Sequence, residues 1–242
     1  MKKIFLLIAV VVAMSLQTMA QRRGTAPNWI SIAAKAGYGN SVLLCKQIND
    51  MDNVTQNYLS PSFSMGGRLG VVFVDKIGVS LEYLSSQYQN KYEFDPQLGN
   101  KTINSNLRFK TGDLLILARY TGEYGFFAEL GPKLTSVKEV TQEVDNSDFD
   151  ATNQFKGKFN SVVFGFGFTP YNGERVLVSL GLRLAYCSKN IVENDVNILG
   201  VNAQLTNVEM KPLSAQVTLD VNYHFARFGK ATCGKQRIIF FK

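Results

Sequence analysis

The chain has 242 residues, with 26 Lys and Arg against 19 Asp and Glu, a formal net charge of +7 and 45% hydrophobic residues. Lys2, Lys3 and the tail cations Arg227, Lys230, Lys235, Arg237 and Lys242 account for that whole surplus, so the body is neutral and a basic nucleic-acid-binding face is excluded. Cys45, Cys187 and Cys233 are too few and too scattered for a disulfide scaffold or a CxxC zinc site, and no cofactor is expected.

The N-terminus reads as a secretory signal. Lys2-Lys3 precedes the apolar run Ile4 to Met14, and Thr18-Met19-Ala20 is a small-x-small site that places cleavage after Ala20. Residues 21–28 form a polar periplasmic leader. No later stretch approaches the ~20 continuous apolar residues of a spanning helix, so any membrane crossing must use strands.

Eight segments alternate apolar and polar residues with the period of a strand. The first, Trp29–Tyr38, sets Ile30, Ile32, Ala34, Ala36 and Tyr38 against Ser31, Ala33, Lys35 and Gly37. A polar connection, Gly39 to Ser62, leads to the second, Phe63–Val74, which turns at Asp75-Lys76. The third begins at Ile77 and carries Glu82 on its minority face. After a loop around Pro96 and Gly99, the fourth ends in Asp113–Tyr120. The fifth runs from Gly125 to about Val137, with Pro132 expected to cause a bulge or irregularity because proline cannot donate a ladder bond. An acidic connection, Lys138 to Lys158, precedes the sixth, where Val162, Phe164, Phe166 and Phe168 alternate with Val163, Gly165 and Gly167. A turn at Pro170–Glu174 leads to the seventh, Arg175–Cys187. The eighth, Leu213–Phe225, alternates without an error.

Connections between these strands alternate long and short. Long loops at one end and tight turns at the other are the asymmetry of an eight-stranded antiparallel up-and-down transmembrane barrel with both termini on the periplasmic side. The domain reading is therefore a signal peptide (1–20), a leader (21–28), a barrel (29–225) and a basic periplasmic tail (226–242). In such a barrel the apolar face meets lipid. Lys35, Arg68, Glu82, Asp113, Arg119, Glu129, Lys133, Arg183 and Asp220 then face a narrow interior, where their near-balance predicts an ion-pair network that closes the lumen. Aromatic residues fall in two girdles on the lipid register: Phe73, Tyr120, Phe126, Phe168, Tyr223 and Phe225 near the turns, and Tyr38, Phe63 and Tyr186 near the loops.

The stretches Ser80–Tyr88, Gly112–Tyr120 with Gly125–Lys133, and Val221–Phe225 resemble the PorT-like group of Gram-negative outer-membrane β-barrel proteins, the "porin family". The resemblance covers most of residues 29–225. It implies an outer-membrane location and the barrel fold, and it implies no reaction. Because the namesake of the group is an accessory of protein secretion, it also implies that role as an alternative.

Individual residues add little chemistry. His224 is the sole histidine and shares a face with Asp220, but it lies at the periplasmic mouth, away from the outer leaflet where lipid-modifying barrels act; it reads as a lumen or rim residue. Glu143–Asp150 lacks the spacing and glycine of an EF-hand and reads as a solvated acidic loop. Cys45 and Cys187 fall on the same side of the membrane in an oxidising compartment, where a disulfide between them is permitted. The tail, Ala226 to Lys242, reads as disordered or as a contact with anionic lipid head groups or a periplasmic partner. The chain is expected to be a non-enzymatic outer-membrane protein with a structural or interaction role. Its partners would be outer-membrane lipids and other envelope or secretion proteins, and a narrow small-solute pore is the remaining alternative.

Overall fold

A computed structural model describes residues 29–50, 54–57, 59–73, 76–94, 103–122, 124–145, 147–193, 208–230 and 236–240. The signal peptide, the leader, Cys233 and the loop around Pro96 and Gly99 lie outside the described residues. Among the described residues eleven strands are antiparallel throughout: β1 (Trp29–Cys45), β2 (Val54–Asn57), β3 (Pro61–Phe73), β4 (Ile77–Phe94), β5 (Ile103–Thr121), β6 (Phe126–Val144), β7 (Ser147–Asp150), β8 (Lys158–Asn172), β9 (Val176–Tyr186), β10 (Met210–Lys230) and β11 (Gln236–Phe240). A short helix α1 (Lys46–Asn49) follows β1. The ring runs β1-β3-β4-β5-β6-β8-β9-β10 and closes where β10 returns to β1, with Lys35 opposite Asp220 and Ala36 opposite Leu219. The chain is thus an eight-stranded closed barrel. β2 and β7 pair onto β4 and β6 as additions, and among the described residues no helix is long and apolar enough to cross a membrane.

Tight turns join β3 to β4, β5 to β6 and β8 to β9, all at one end. The β5–β6 turn depends on Gly125, whose φ of 76° is costly for any residue with a Cβ, and whose N–H donates to the Gly122 carbonyl. The first strand of the ring begins at this end too. At the other end the strands overshoot, and here the boundaries read from sequence need correction. β1 continues to Cys45, β5 starts at Ile103, and β6 continues to Val144 and folds back as β7. What reads as an acidic loop is therefore largely a hairpin. At the turn end β10 passes Phe225 and reaches Lys230, where β11 pairs back on it from Gln236 to Phe240, so part of the expected tail is strand. Opposite Gly131 and Pro132 the ladder to β5 lapses at Ile116 and Leu117 with its register unchanged; the bulge in this pair lies at Lys110/Thr111 instead.

The barrel divides into two zones of opposite polarity. Near the turns the outward face is apolar: Ile32, Met65, Leu69, Val79, Leu81, Ile116, Leu130, Phe164, Phe166, Val217, Leu219 and Val221 are exposed. On β6 this belt runs from Phe126 to Leu134, about 20 Å of membrane depth for a strand rising ~3.3 Å per residue and tilted ~40°, close to the apolar band of such barrels. Tyr120, Phe126, Phe168 and Tyr223 border it on the turn side, and Tyr38, Phe63, Tyr83 and Tyr186 on the other, all exposed. Beyond that second girdle the polarity inverts. Lys91, Glu93, Asn104 and Lys110 face outward, while Leu43, Tyr92, Leu107, Phe109, Val140 and Met210 pack inside as the apolar core of a water-exposed extension.

Candidate functional site

The lumen of the membrane zone collects polar chemistry because the lipid-facing alternation leaves every second residue pointing inward. Lys35, Arg68, Glu82, Asp113, Arg119, Glu129, Lys133, Arg183 and Asp220 all point inside, and every one has an ionic partner. Three pairs span the ring from one strand to the strand diametrically opposite. Arg183 on β9 meets Glu82 on β4, with Nη1 2.8 Å from Oε2. Arg119 on β5 meets Asp220 on β10 at 3.4 Å. Lys35 on β1 lies 3.8 Å from Glu129 on β6. Shorter links knit them together: Lys35 Nζ sits 3.3 Å from Glu82 and 3.2 Å from Asp220, Arg183 also pairs with Glu129, and Arg68 donates to Asp220 at 3.1 Å and to Asn222.

Small residues make the room that these side chains occupy. A Cβ on Gly165 would fall 2.7 Å from Glu129, and one on Gly167 or Gly181 would fall within 3.0 Å of the Phe127 ring. Phe127 is itself buried in the lumen, where the Arg119 guanidinium lies 3.7 Å over its ring. One level outward, Asp113 forms a separate centre. It accepts from Ser86 and Tyr88 at 2.7 Å each and pairs with Lys133 at 3.2 Å, while Lys133 also donates to the Tyr88 hydroxyl.

Beyond this centre the lumen fills with apolar side chains, a feature not read from the sequence. Phe109 meets Phe155 edge-to-face at 4.9 Å. The segments after β7 and after β9 carry Phe155, Ile191 and Val192 into the same core, tied by Lys156 N–H to the Ile191 carbonyl and by Glu193 N–H to the Gln154 carbonyl. The signal for this zone is present in Lys91-Tyr92-Glu93-Phe94 and Asn106-Leu107-Arg108-Phe109, where alternation persists but the outward residue has become the polar one.

Cys45 and Cys187 belong to this outer core as buried free thiols, which corrects the permitted disulfide. Cys45 on β1 pairs across with Met210, and Cys187 follows β9 with its N–H on the Pro212 carbonyl, so β10 lies between them. Two strand spacings amount to ~9.5 Å, beyond the ~7 Å Cα limit for a bridge. The thiols turn to other acceptors, Gln47 Oε1 and the Lys189 carbonyl. Burial pushes the Cys45 thiol pKa up. In the acidic hairpin Glu143 pairs with Arg108, and the Thr152 side chain, with the Thr152 N–H donating at 2.9 Å, lowers the Asp150 carboxyl pKa.

At the turn end the lumen opens into a cavity of about 190 Å³ between the charge network and the mouth. His224 stands here, half-buried and stacked on Trp29 at 5.1 Å, with its backbone N–H on the Arg175 carbonyl. Asp220 does not orient it: that carboxylate is held by Lys35, Arg68 and Arg119.

No protein-family pattern and no curated protein matches the sequence. Among solved structures the chain is similar to the Neisserial surface protein A, at 12% identity over 81% of this chain and 97% of that one with a TM-score of 0.45. It is also similar to the outer membrane protein OprG from Pseudomonas aeruginosa, at 13% identity over 83% and 97% with a TM-score of 0.43. A third is Ail, the attachment invasion locus protein of Yersinia pestis, at 9% identity over 82% and 100% with a TM-score of 0.40. The barrel assignment itself rests on the strand pairing described above.

Proposed function

We propose that this chain is a β-barrel of a Gram-negative outer membrane, with a closed lumen and a non-enzymatic structural or interaction role in the envelope. The observation that carries this reading is the reversed polarity of the membrane zone, where an exposed apolar belt surrounds ion pairs that reach from wall to opposite wall. A soluble barrel would bury the belt and expose the charges. Closure is supported twice over, by the charge network and by the outer apolar core. Contacts with other envelope components fall to the outer extension, where Lys91, Glu93, Asn104 and Lys110 face outward.

Expression in a Gram-negative host followed by density separation of inner and outer membranes tests the location; recovery in the soluble periplasm would contradict it. An accessory role in secretion is the second reading, favoured by the PorT-like strand motifs. Deletion that blocks secretion, together with copurification of secretion proteins from intact outer membranes, would select it; normal secretion after deletion would reject it.

A further inference from the structure

The inner-mouth cavity has the features of an anion site. Arg68 and Ser80 line it and are only 7% and 4% exposed, yet among the described residues Arg68 Nε and Ser80 Oγ have no hydrogen-bond partner. Buried donors left unmatched cost stability, so a pair of them facing one cavity calls for an acceptor there. Electrostatics point the same way. The inner network holds Lys35, Arg68, Arg119 and Arg183 against Glu82, Glu129 and Asp220, one cation in excess. Arg68 and Arg119, the two cations nearest the mouth, share the single carboxylate Asp220. Asp220 is covered by these guanidinium groups and by Lys35, which limits its repulsion of an incoming anion.

The geometry points to a phosphate-binding site at the inner mouth, formed by Arg68, Ser80 and Arg119 with Ser179 and Asn222 around them. These residues come from β3, β4, β5, β9 and β10, so the donors surround the cavity. A tetrahedral oxyanion offers acceptors on every side, whereas a planar carboxylate offers them in one plane; guanidinium forks suit phosphate oxygens. A singly charged phosphate group would also balance the excess cation. Its source is either free inorganic phosphate or the headgroup of an anionic phospholipid reaching over the rim.

Trp29, the sole tryptophan of the chain, lines this cavity and reports on it directly. The test is a Trp29 fluorescence titration of the full chain in phosphate-free maltoside micelles with inorganic phosphate, against chloride at equal ionic strength. A parallel titration uses micelles doped with phosphatidylglycerol. The expected result is a saturable change with one of the two sources, weakened about tenfold by Ser80→Ala, which leaves the charges in place, and abolished by Arg119→Met. Saturation by inorganic phosphate identifies the free ion, and saturation only by the lipid identifies the headgroup. A response to both sources no larger than that to chloride, or one undiminished in either variant, overturns the site.

Discussion

Arg183 is the residue on which the lumen depends most. Its guanidinium donates to both Glu82 and Glu129, and all three are nearly inaccessible to water. Breaking a buried ion pair from one side is far more costly than never having built it, because the abandoned charge remains. Arg183→Met is expected to lower stability by about 3–5 kcal/mol in urea titrations of the barrel in vesicles. Lys110→Ala, which removes an exposed pair with Glu139, is expected to leave the midpoint unchanged. Gly165→Ala tests the same centre from the other side. Its Cβ would meet Glu129 at 2.7 Å, and the displaced carboxylate is expected to cost about 1–3 kcal/mol in the same titration. Cys45 and Cys187 should resist maleimide at neutral pH in the folded barrel and react once it is unfolded, because both are buried and the Cys45 pKa is raised. Rapid native labelling would contradict their place in the outer core.

At the scale of the strand, the feature that matters is the exchange of polarity along β4, β5 and β6. Leu219 faces lipid, so Leu219→Lys is expected to cost about 2–4 kcal/mol in vesicle unfolding. Leu107 faces the outer core, so Leu107→Ala is expected to cost about 2–5 kcal/mol and to raise hydrogen exchange in β5 beyond Lys110 while the belt stays protected. The inner halves of these strands were legible in the sequence because their outward residues are apolar from Ile77 to Tyr83 and from Leu114 to Tyr120, and their inward ones are small or polar apart from Leu115 and Leu117, which are buried inside. Their outer halves were not, because Tyr92 and Leu107 obey the opposite rule and the intervening Ser85-Ser86 and Thr111-Gly112 carry little hydrophobic contrast. All nine charged residues could be assigned to the inner face by counting twos along each strand. Which charge meets which across the barrel could not, since Arg183 and Glu82 lie 101 positions apart and become opposed only through the ring order. The mouth cavity left no sequence signal beyond the spacing of Arg68, Ser80 and Arg119.

At the scale of the whole molecule, eight strands enclose an interior that side chains can just fill. Here they fill it in succession: a polar mouth, ion pairs reaching between opposite walls, the Asp113–Lys133 centre and an apolar outer core. The cavity at the inner mouth ends against the ion pairs of Arg68 and Arg119 with Asp220. On the closed-lumen proposal, the molecule would present itself to the envelope through its ends and its lipid-facing surface, with no continuous path between the two sides. The most direct measurement of this claim is the single-channel conductance of the purified full chain in planar lipid bilayers. A closed lumen predicts incorporation without a stable open level; a large, long-lived conductance in the unaltered protein would contradict it.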